Sequence, residues 1–553
     1  MRLQYLFLGL SCLFAPAAAA AVVQRAPGGS YNKIVAEYIT EYIGHLRLGR
    51  FVVPIQLNGK EFKVALDTGS SDLWLVTPPD FQYDTRGSIP ASLGFIGSSV
   101  NGTTGFAEMS LGGYTFPRQL FLDANPNEVG LKFIVDSGQH LDGLLGLSFN
   151  FLNASALMAQ FNASGLDPLA AQPFLFNIFN QKPDEVNFLG VEISRTEDLE
   201  ETSQGSFTIN EIDPAFADAI HNAHEVPVYP PEALVWSVLV DAIDVGGVKI
   251  PLKSSVPGTG VGMVTALDTG TPTASIPRES WYALYSNIPG ALYSFNATTG
   301  NELFVIPCAT TTIVTVYIGG VGYPIHPLDI SQIFELTGDD GVNVTVCTNL
   351  IDPLAPGTSF VDALFGAALM TNFYTLCVSV LVKSPTGGES SIALLSLTDA
   401  HQAAAEVQSV RMAQMAARNL PAEISGPIDG FSPAVPGSTP PELPDVGDAA
   451  APVTTPPATT PTAVVQAALG AADQDDASTN SAVNKYAPVV IGLLGANLFV
   501  CVVLAVIGLG LCVKKGGRAR QTTRYQPVNF PRKMEQEPLD ISERFTSDRR
   551  YND

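Results

Sequence analysis

Two short segments of this 553-residue chain hold residue types that could do chemistry together: Asp67-Thr68-Gly69-Ser70 and Asp268-Thr269-Gly270-Thr271. Each presents a carboxyl, then Thr, Gly and a hydroxyl. Each follows an apolar run, Phe62-Lys63-Val64-Ala65-Leu66 in one case and Gly262-Met263-Val264-Thr265-Ala266-Leu267 in the other. They stand 201 residues apart, too far for a tandem motif and suited to two halves of one molecule. A strand-like run delivers its Asp to a buried turn, and the glycine admits a close approach that a Cβ would obstruct. The Ser70 or Thr271 hydroxyl can hydrogen-bond its carboxylate and fix its orientation. Where two such turns meet, the carboxylates cannot both ionise, so they share a proton and their pKa values split. The ionised group can then activate a water as general base, and the protonated one can polarise a carbonyl as general acid. Both segments arise together by chance in roughly one chain in a thousand of this length, so the pair reads as a site rather than as two loop turns.

The elements that must position these residues read as short strands between turns. Phe51 to Leu57, then Asn58-Gly59, then Glu61 to Leu66 is a hairpin signal. Similar strand lengths recur to about residue 400, with a weak helix over Asn153 to Phe161 and another expected over His401 to Asn419. The second half repeats the order of the first: apolar strand, Asp-Thr-Gly, later a Leu-Leu-Gly or Leu-Phe-Gly segment. The pattern predicts two homologous β lobes with a cleft between them, dividing near Val226 to Glu232, where Pro227, Pro230 and Pro231 cluster.

Asp67-Thr-Gly-Ser-Ser-Asp-Leu-Trp74-Leu-Val resembles the first active-site segment of the pepsin-like aspartic proteases, and other segments match in order. Leu111-Gly-Gly-Tyr-Thr-Phe resembles the strand and turn after that family's flap. Leu141-Asp-Gly-Leu-Leu-Gly-Leu147 resembles the glycine segment beside the first Asp loop, and Ala363-Leu-Phe-Gly-Ala-Ala-Leu369 its counterpart in the second lobe. Trp236 to Gly247 resembles the strand pair entering that lobe. The resemblance covers roughly residues 48 to 400. It implies an all-β, bilobal pepsin-like fold with the active-site cleft between two homologous lobes. It also implies an aspartic endopeptidase acting on peptide or protein substrates, with Asp67 and Asp268 as the catalytic pair and Thr68, Gly69, Ser70, Thr269, Gly270 and Thr271 as their support. No metal or organic cofactor is implied. Cys308 and Cys347 match the disulfide common in the family's second lobe.

The chain departs from the family at the flap, a hairpin that carries a tyrosine bonded to a tryptophan placed like Trp74. Phe95-Ile-Gly-Ser-Ser-Val-Asn-Gly102 aligns with the flap turn, which puts Phe95 at the tyrosine position, without a hydroxyl. Tyr83 is a second candidate on a less natural alignment. Pro272 and Ala367 also differ from common family residues. These departures motivate an alternative: a weak or inactive protease scaffold acting as a peptide-binding or cell-surface protein. Statine-peptide binding without turnover would distinguish it.

Residues 1–21 read as a signal peptide, with Arg2 followed by the apolar stretch Leu3 to Phe14 and small residues before the cleavage point. Residues 22–47 read as a short pro-segment or an N-terminal arm, 48–228 and 229–400 as the two lobes, and 401–420 as a helix. Residues 421–486 are rich in Pro, Thr and Ala and read as a stalk. Within 487–513, the run Val489 to Val513 is long enough for a transmembrane helix, and Lys514, Lys515, Arg518 and Arg520 follow at once. These features predict a single-pass type I protein of the secretory pathway, with a cytoplasmic tail at 514–553 and its protease domain facing the cell surface, endosome or vacuole. Tyr525-Gln-Pro-Val528 resembles a sorting signal. The net charge of −24, concentrated before the basic tail, disfavours nucleic-acid partners and is compatible either with work at low pH or with a role in solubility alone. A monomer is expected. Sequons at Asn101, Asn153, Asn162, Asn296 and Asn343 predict glycosylation. Cys12 lies in the signal peptide, Cys501 and Cys512 lie in the membrane run, and Cys377 reads as a buried free thiol. No His-Glu-x-x-His, Gly-x-Ser-x-Gly or phosphate-loop motif is present, and His221 and His224 lack companion ligands.

Overall fold

A computed structural model describes residues 33–441, apart from 44–45, 96–97, 130–140, 149–154, 182–186, 196–203, 232, 297–300, 338–340, 355–359, 380–389, 425–427 and 429. The expected signal peptide, the Asn153 sequon, most of the stalk, the membrane run and the tail lie outside the described residues. Among the described residues, no helix is long and apolar enough to cross a membrane.

Strands dominate. In chain order the first are β1 (Lys33–Ile43), β2 (Leu46–Leu57), β3 (Lys60–Asp67), β4 (Leu73–Leu75), β5 (Pro90–Phe95), β6 (Ser98–Leu111), β7 (Tyr114–Val129) and β8 (Gly143–Gly146). Next come β9 (Asn187–Ile193), β10 (Gln204–Ile209), β11 (His224–Pro227), β12 (Ser237–Val245), β13 (Val248–Ile250), β14 (Met263–Asp268) and β15 (Ala274–Pro277). They are followed by β16 (Leu292–Asn296), β17 (Asn301–Ile306), β18 (Val314–Ile318), β19 (Val321–Ile325), β20 (Ser331–Thr337) and β21 (Asn343–Asn349). The last are β22 (Ile351–Leu354), β23 (Ala363–Gly366), β24 (Phe373–Ser379), β25 (Ser391–Ser396) and β26 (Ser432–Pro433).

The largest sheet runs β11-β25-β24-β9-β10-β1-β2-β3-β8-β4-β7-β6-β5. A second runs β19-β18-β12-β14-β23-β15-β22, with β13 on β12, and a third runs β20-β21-β17-β16-β26. The expected hairpin is present: β2 and β3 are joined by Asn58 and Gly59, whose φ values of 46° and 76° match the right-handed strand twist. Residues 33–43, left open in the sequence as pro-segment or arm, form a strand between β10 and β2.

Each Asp segment is built the same way. β8 runs parallel to β3 with Gly146 opposite Asp67, and β4 pairs antiparallel on the far side of β8. In the second half β23 runs parallel to β14 with Gly366 opposite Asp268, and β15 pairs antiparallel with β23. Along β3 the burial pattern starts alternating near the hairpin and becomes continuous toward Asp67, as it must where both faces are covered. One core joins Leu66, Leu145, Trp236, Leu267 and Phe365 across the two halves, and the Trp236 indole donates to the Leu147 carbonyl at 2.9 Å.

Among the described residues the α-helices are α1 (Ala156–Ala163), α2 (Phe174–Phe179), α3 (Arg278–Ser286), α4 (Ala367–Met370) and α5 (Ala400–Ala417). The weak helix expected over 153–161 is α1, and the one expected over 401–419 is α5, which Asp399 starts by accepting from the His401 and Gln402 amides, both at 2.9 Å. The sequence reading contains no helix at α3, whose aromatic run Trp281 to Tyr285 packs into the core. Cys308 and Cys347 are disulfide-bonded, and Cys377 is buried and free.

Candidate active site

The two Asp-Thr-Gly segments meet at the ends of β3 and β14. Their threonines cross. The Thr68 hydroxyl donates to the Leu267 carbonyl at 2.6 Å and accepts from the Thr269 amide at 3.0 Å. The Thr269 hydroxyl donates to the Leu66 carbonyl at 2.8 Å and accepts from the Thr68 amide at 3.1 Å. Both threonines are buried, so each hydroxyl is a satisfied part of a closed ring of bonds rather than a desolvated cost.

The carboxyls are held in matching fashion. Asp67 accepts from the Gly69 amide at 2.8 Å and from the Ser70 hydroxyl. Asp268 accepts from the Gly270 amide at 2.9 Å and from the Thr271 hydroxyl at 2.7 Å. The glycines set how closely the loops approach. A Cβ on Gly69 would fall 2.5 Å from the Asp268 carboxyl carbon, and one on Gly270 would fall 2.5 Å from that of Asp67. Asp67 is buried. Burial first, and then the charge of Asp268 and a hydrogen bond to it, pushes the Asp67 carboxyl well above the usual range. Two acids that face each other in this way disfavour simultaneous ionisation.

The expected flap residue Phe95 ends β5 opposite Ser98 at the head of the β5–β6 hairpin, with residues 96–97 outside the described set. With Gly69, Ser70, Ala156, Val235 and Phe360 it lines a cavity of about 150 Å³ beside the first Asp loop. Trp74 is fully buried in β4, and its indole nitrogen has no hydrogen-bond partner among the described residues. Tyr83 lies away from the hairpin tip, against Phe121, and donates to Asp123 at 2.6 Å. Asn162, Asn296 and Asn343 are exposed, whereas Asn101 is half-buried on β6. Among the described residues, no group of His, Cys, Asp and Glu could hold a metal ion.

Two residues near the site carried no signal in the sequence reading. Asp72 is buried, accepts from the Ser155 hydroxyl at 2.6 Å and from the Leu157 amide at 3.3 Å, and so ties the first Asp loop to the start of α1. Burial pushes its carboxyl up to about 6 against those bonds. Arg50 on β2 donates to the Gly270 carbonyl of the second loop.

The family described as eukaryotic aspartyl protease matches residues 87–377, more than half of the sequence. The chain belongs to that family. The match includes Asp268 and begins after the Asp67 segment. Similarity to individual members is modest. The chain is 25% identical over 345 residues to major aspartyl peptidase 1 of Cryptococcus neoformans var. grubii, covering 58% of this chain and 65% of that protein. It is 26% identical over 322 residues to pepsin A-5 of Mus musculus, covering 55% and 71%. It is 22% identical over 369 residues to the vacuolar aspartic protease of Candida albicans, covering 63% and 75%. The chain thus spans less than two thirds of the length of the cryptococcal peptidase. This family member keeps both Asp-Thr-Gly loops.

Proposed function

We propose that this aspartyl protease family member is an active endopeptidase with Asp67 and Asp268 as its catalytic pair. The observation that carries the proposal is the crossed Thr68–Thr269 arrangement, which fixes two buried-loop carboxyls face to face. The ionised member of the pair takes a proton from a water lying between the carboxyls, and that water attacks the peptide carbonyl carbon. The protonated member hydrogen-bonds the carbonyl oxygen and stabilises the charge that develops there. Collapse of the tetrahedral species returns a proton to the amide nitrogen and releases the amine. Thr68, Gly69, Ser70, Thr269, Gly270 and Thr271 keep the carboxyls oriented, and Phe95 and Trp74 belong to the flap side of the cleft. The lobes are assigned as 48–228 and 229–400, the substrate is an extended peptide with apolar side chains at the cleavage point, and the working pH is acidic.

The same reading takes the chain through the secretory pathway as a glycosylated, monomeric type I membrane protein, anchored within 487–513 and held on the 421–486 stalk. The basic run after Val513 and the exposure of Asn162, Asn296 and Asn343 support it. The test is peptide cleavage by the ectodomain between about pH 3 and pH 7. Asp67→Asn and Asp268→Asn should each abolish turnover while the protein stays folded. Undiminished cleavage by either variant refutes the assignment.

A further inference from the structure

Arg50 occupies an unusual position for a charged side chain. It is 6% exposed and is followed on β2 by the buried residues Phe51, Val52 and Val53. A guanidinium stays charged at any working pH, so its burial is tolerated only where its N–H groups find acceptors. One of them, on Nη1, donates to the carbonyl of Gly270, 220 residues further along the chain.

Gly270 touches both carboxyls, as Gly69 does from the first loop. Its amide donates to Asp268 at 2.9 Å, and its Cα lies against Asp67 closely enough that a Cβ would overlap that carboxyl. With the amide on Asp268 and the carbonyl on Arg50, residue 270 is fixed at both ends. The clamp is one-sided. Val52 pairs with Ala65, two residues before Asp67, and Ser237 pairs with Ala266, two residues before Asp268. The residue two positions before Val52 is Arg50, whereas the one two positions before Ser237 is Val235, an apolar side chain that lines the cavity. The strand positions beside the repeated loops therefore differ, and the second loop is braced by a cation from the opposite half.

We infer that Arg50 is a positioning residue for the catalytic pair, clamping Gly270 from β2 and so setting the placement of Asp67 against Asp268. The inference rests on the endopeptidase reading above. It concerns the geometry of the reacting groups rather than substrate binding, so it predicts a loss in kcat at unchanged KM. Displacements of about 1 Å in a catalytic constellation cost on the order of a hundredfold in rate.

The test compares the wild-type ectodomain with Arg50→Lys and Arg50→Met, measuring kcat and KM on one peptide substrate. Active sites are counted by titration with a tight-binding statine peptide. Lys offers the same carbonyl a donor on a flexible stem, and its kcat per active site should fall roughly three- to tenfold. Met has no donor and should fall at least about tenfold further, with KM within about twofold of wild type in both. If Arg50→Met does not fold, Arg50→Lys decides alone. Wild-type kcat per active site in Arg50→Lys overturns the inference. So does a loss that lies wholly in KM or in the number of active sites. An inactive wild-type protein would instead refute the endopeptidase reading itself.

Discussion

Asp72→Asn should remove a defined part of the pH dependence of stability. In the fold the Asp72 carboxyl is buried and its pKa stands at about 6, against 3.8 for the ordinary side chain, with burial as the leading cause. A carboxyl whose folded pKa is raised favours the folded state most when protonated. That stability is fully present below about pH 3.8 and is lost as pH rises through about 6. The difference of roughly two pK units corresponds to about 3 kcal/mol. Asparagine has the shape of the protonated acid, with one acceptor for the Leu157 amide and one donor facing Ser155. The variant should therefore match wild type near pH 4 and exceed it by about 2 kcal/mol or more near pH 7. Guanidinium unfolding of both proteins at half-unit steps between about pH 3.5 and 7.5 measures this directly. Parallel stability curves across that range would refute the argument, because the carboxyl would then titrate alike in folded and unfolded chains.

Three further outcomes follow, two from the geometry of the Asp loops and one from the disulfide. Gly270→Ala forces a methyl group against the Asp67 carboxyl, and should cut kcat at least about a hundredfold in a peptide-cleavage assay; a loss under threefold would contradict the close approach. Thr68→Val leaves the Leu267 carbonyl and the Thr269 amide without their buried partner, which should cost roughly 2–6 kcal/mol in denaturant unfolding. Replacing Cys308 and Cys347 together by serine opens a loop with a sequence separation of 39 and should lower stability by about 4 kcal/mol; equal midpoints for the oxidised protein and the variant would argue against it.

What was readable in the sequence is local. Asp67 and Asp268 announce themselves because a strand, a carboxyl, a glycine and a hydroxyl recur in one order within a few residues. The glycine segments at 141–147 and 363–369 and the helix after Asp399 are local in the same sense. The unread features depend on distant partners. Lys33–Ile43 forms a strand only because residues near Thr208 and Phe51 flank it, and nothing within residues 33–43 names those neighbours. Arg50 reads as the polar start of a strand until Gly270 is brought to it. Asp72 sits inside a recognisable motif, yet its burial depends on Ser155, 83 residues away. The helix α3 was hidden by its own aromatics, because Trp281, Tyr282 and Tyr285 suit a strand by propensity and are held helical by the core they fill.

Acidity acts on the fold and on the proposed chemistry through the same kind of group. Asp67 and Asp72 are both buried, and burial is the leading cause that raises each, so each gains folding free energy as pH falls through its raised pKa. His326 works in the opposite sense. Burial lowers its pKa, so it favours the fold while neutral and withdraws that support as pH falls below its unfolded value of about 6.5. The charge of Asp329, and then the Glu406 carboxylate 3.0 Å from its ring nitrogen, limit that loss. The 53 Asp and Glu residues outnumber the 29 Lys and Arg, so proton uptake also relieves repulsion across the surface. The buried carboxyls and the surface therefore shift the balance of stability toward acidic pH, against the opposing pull of His326.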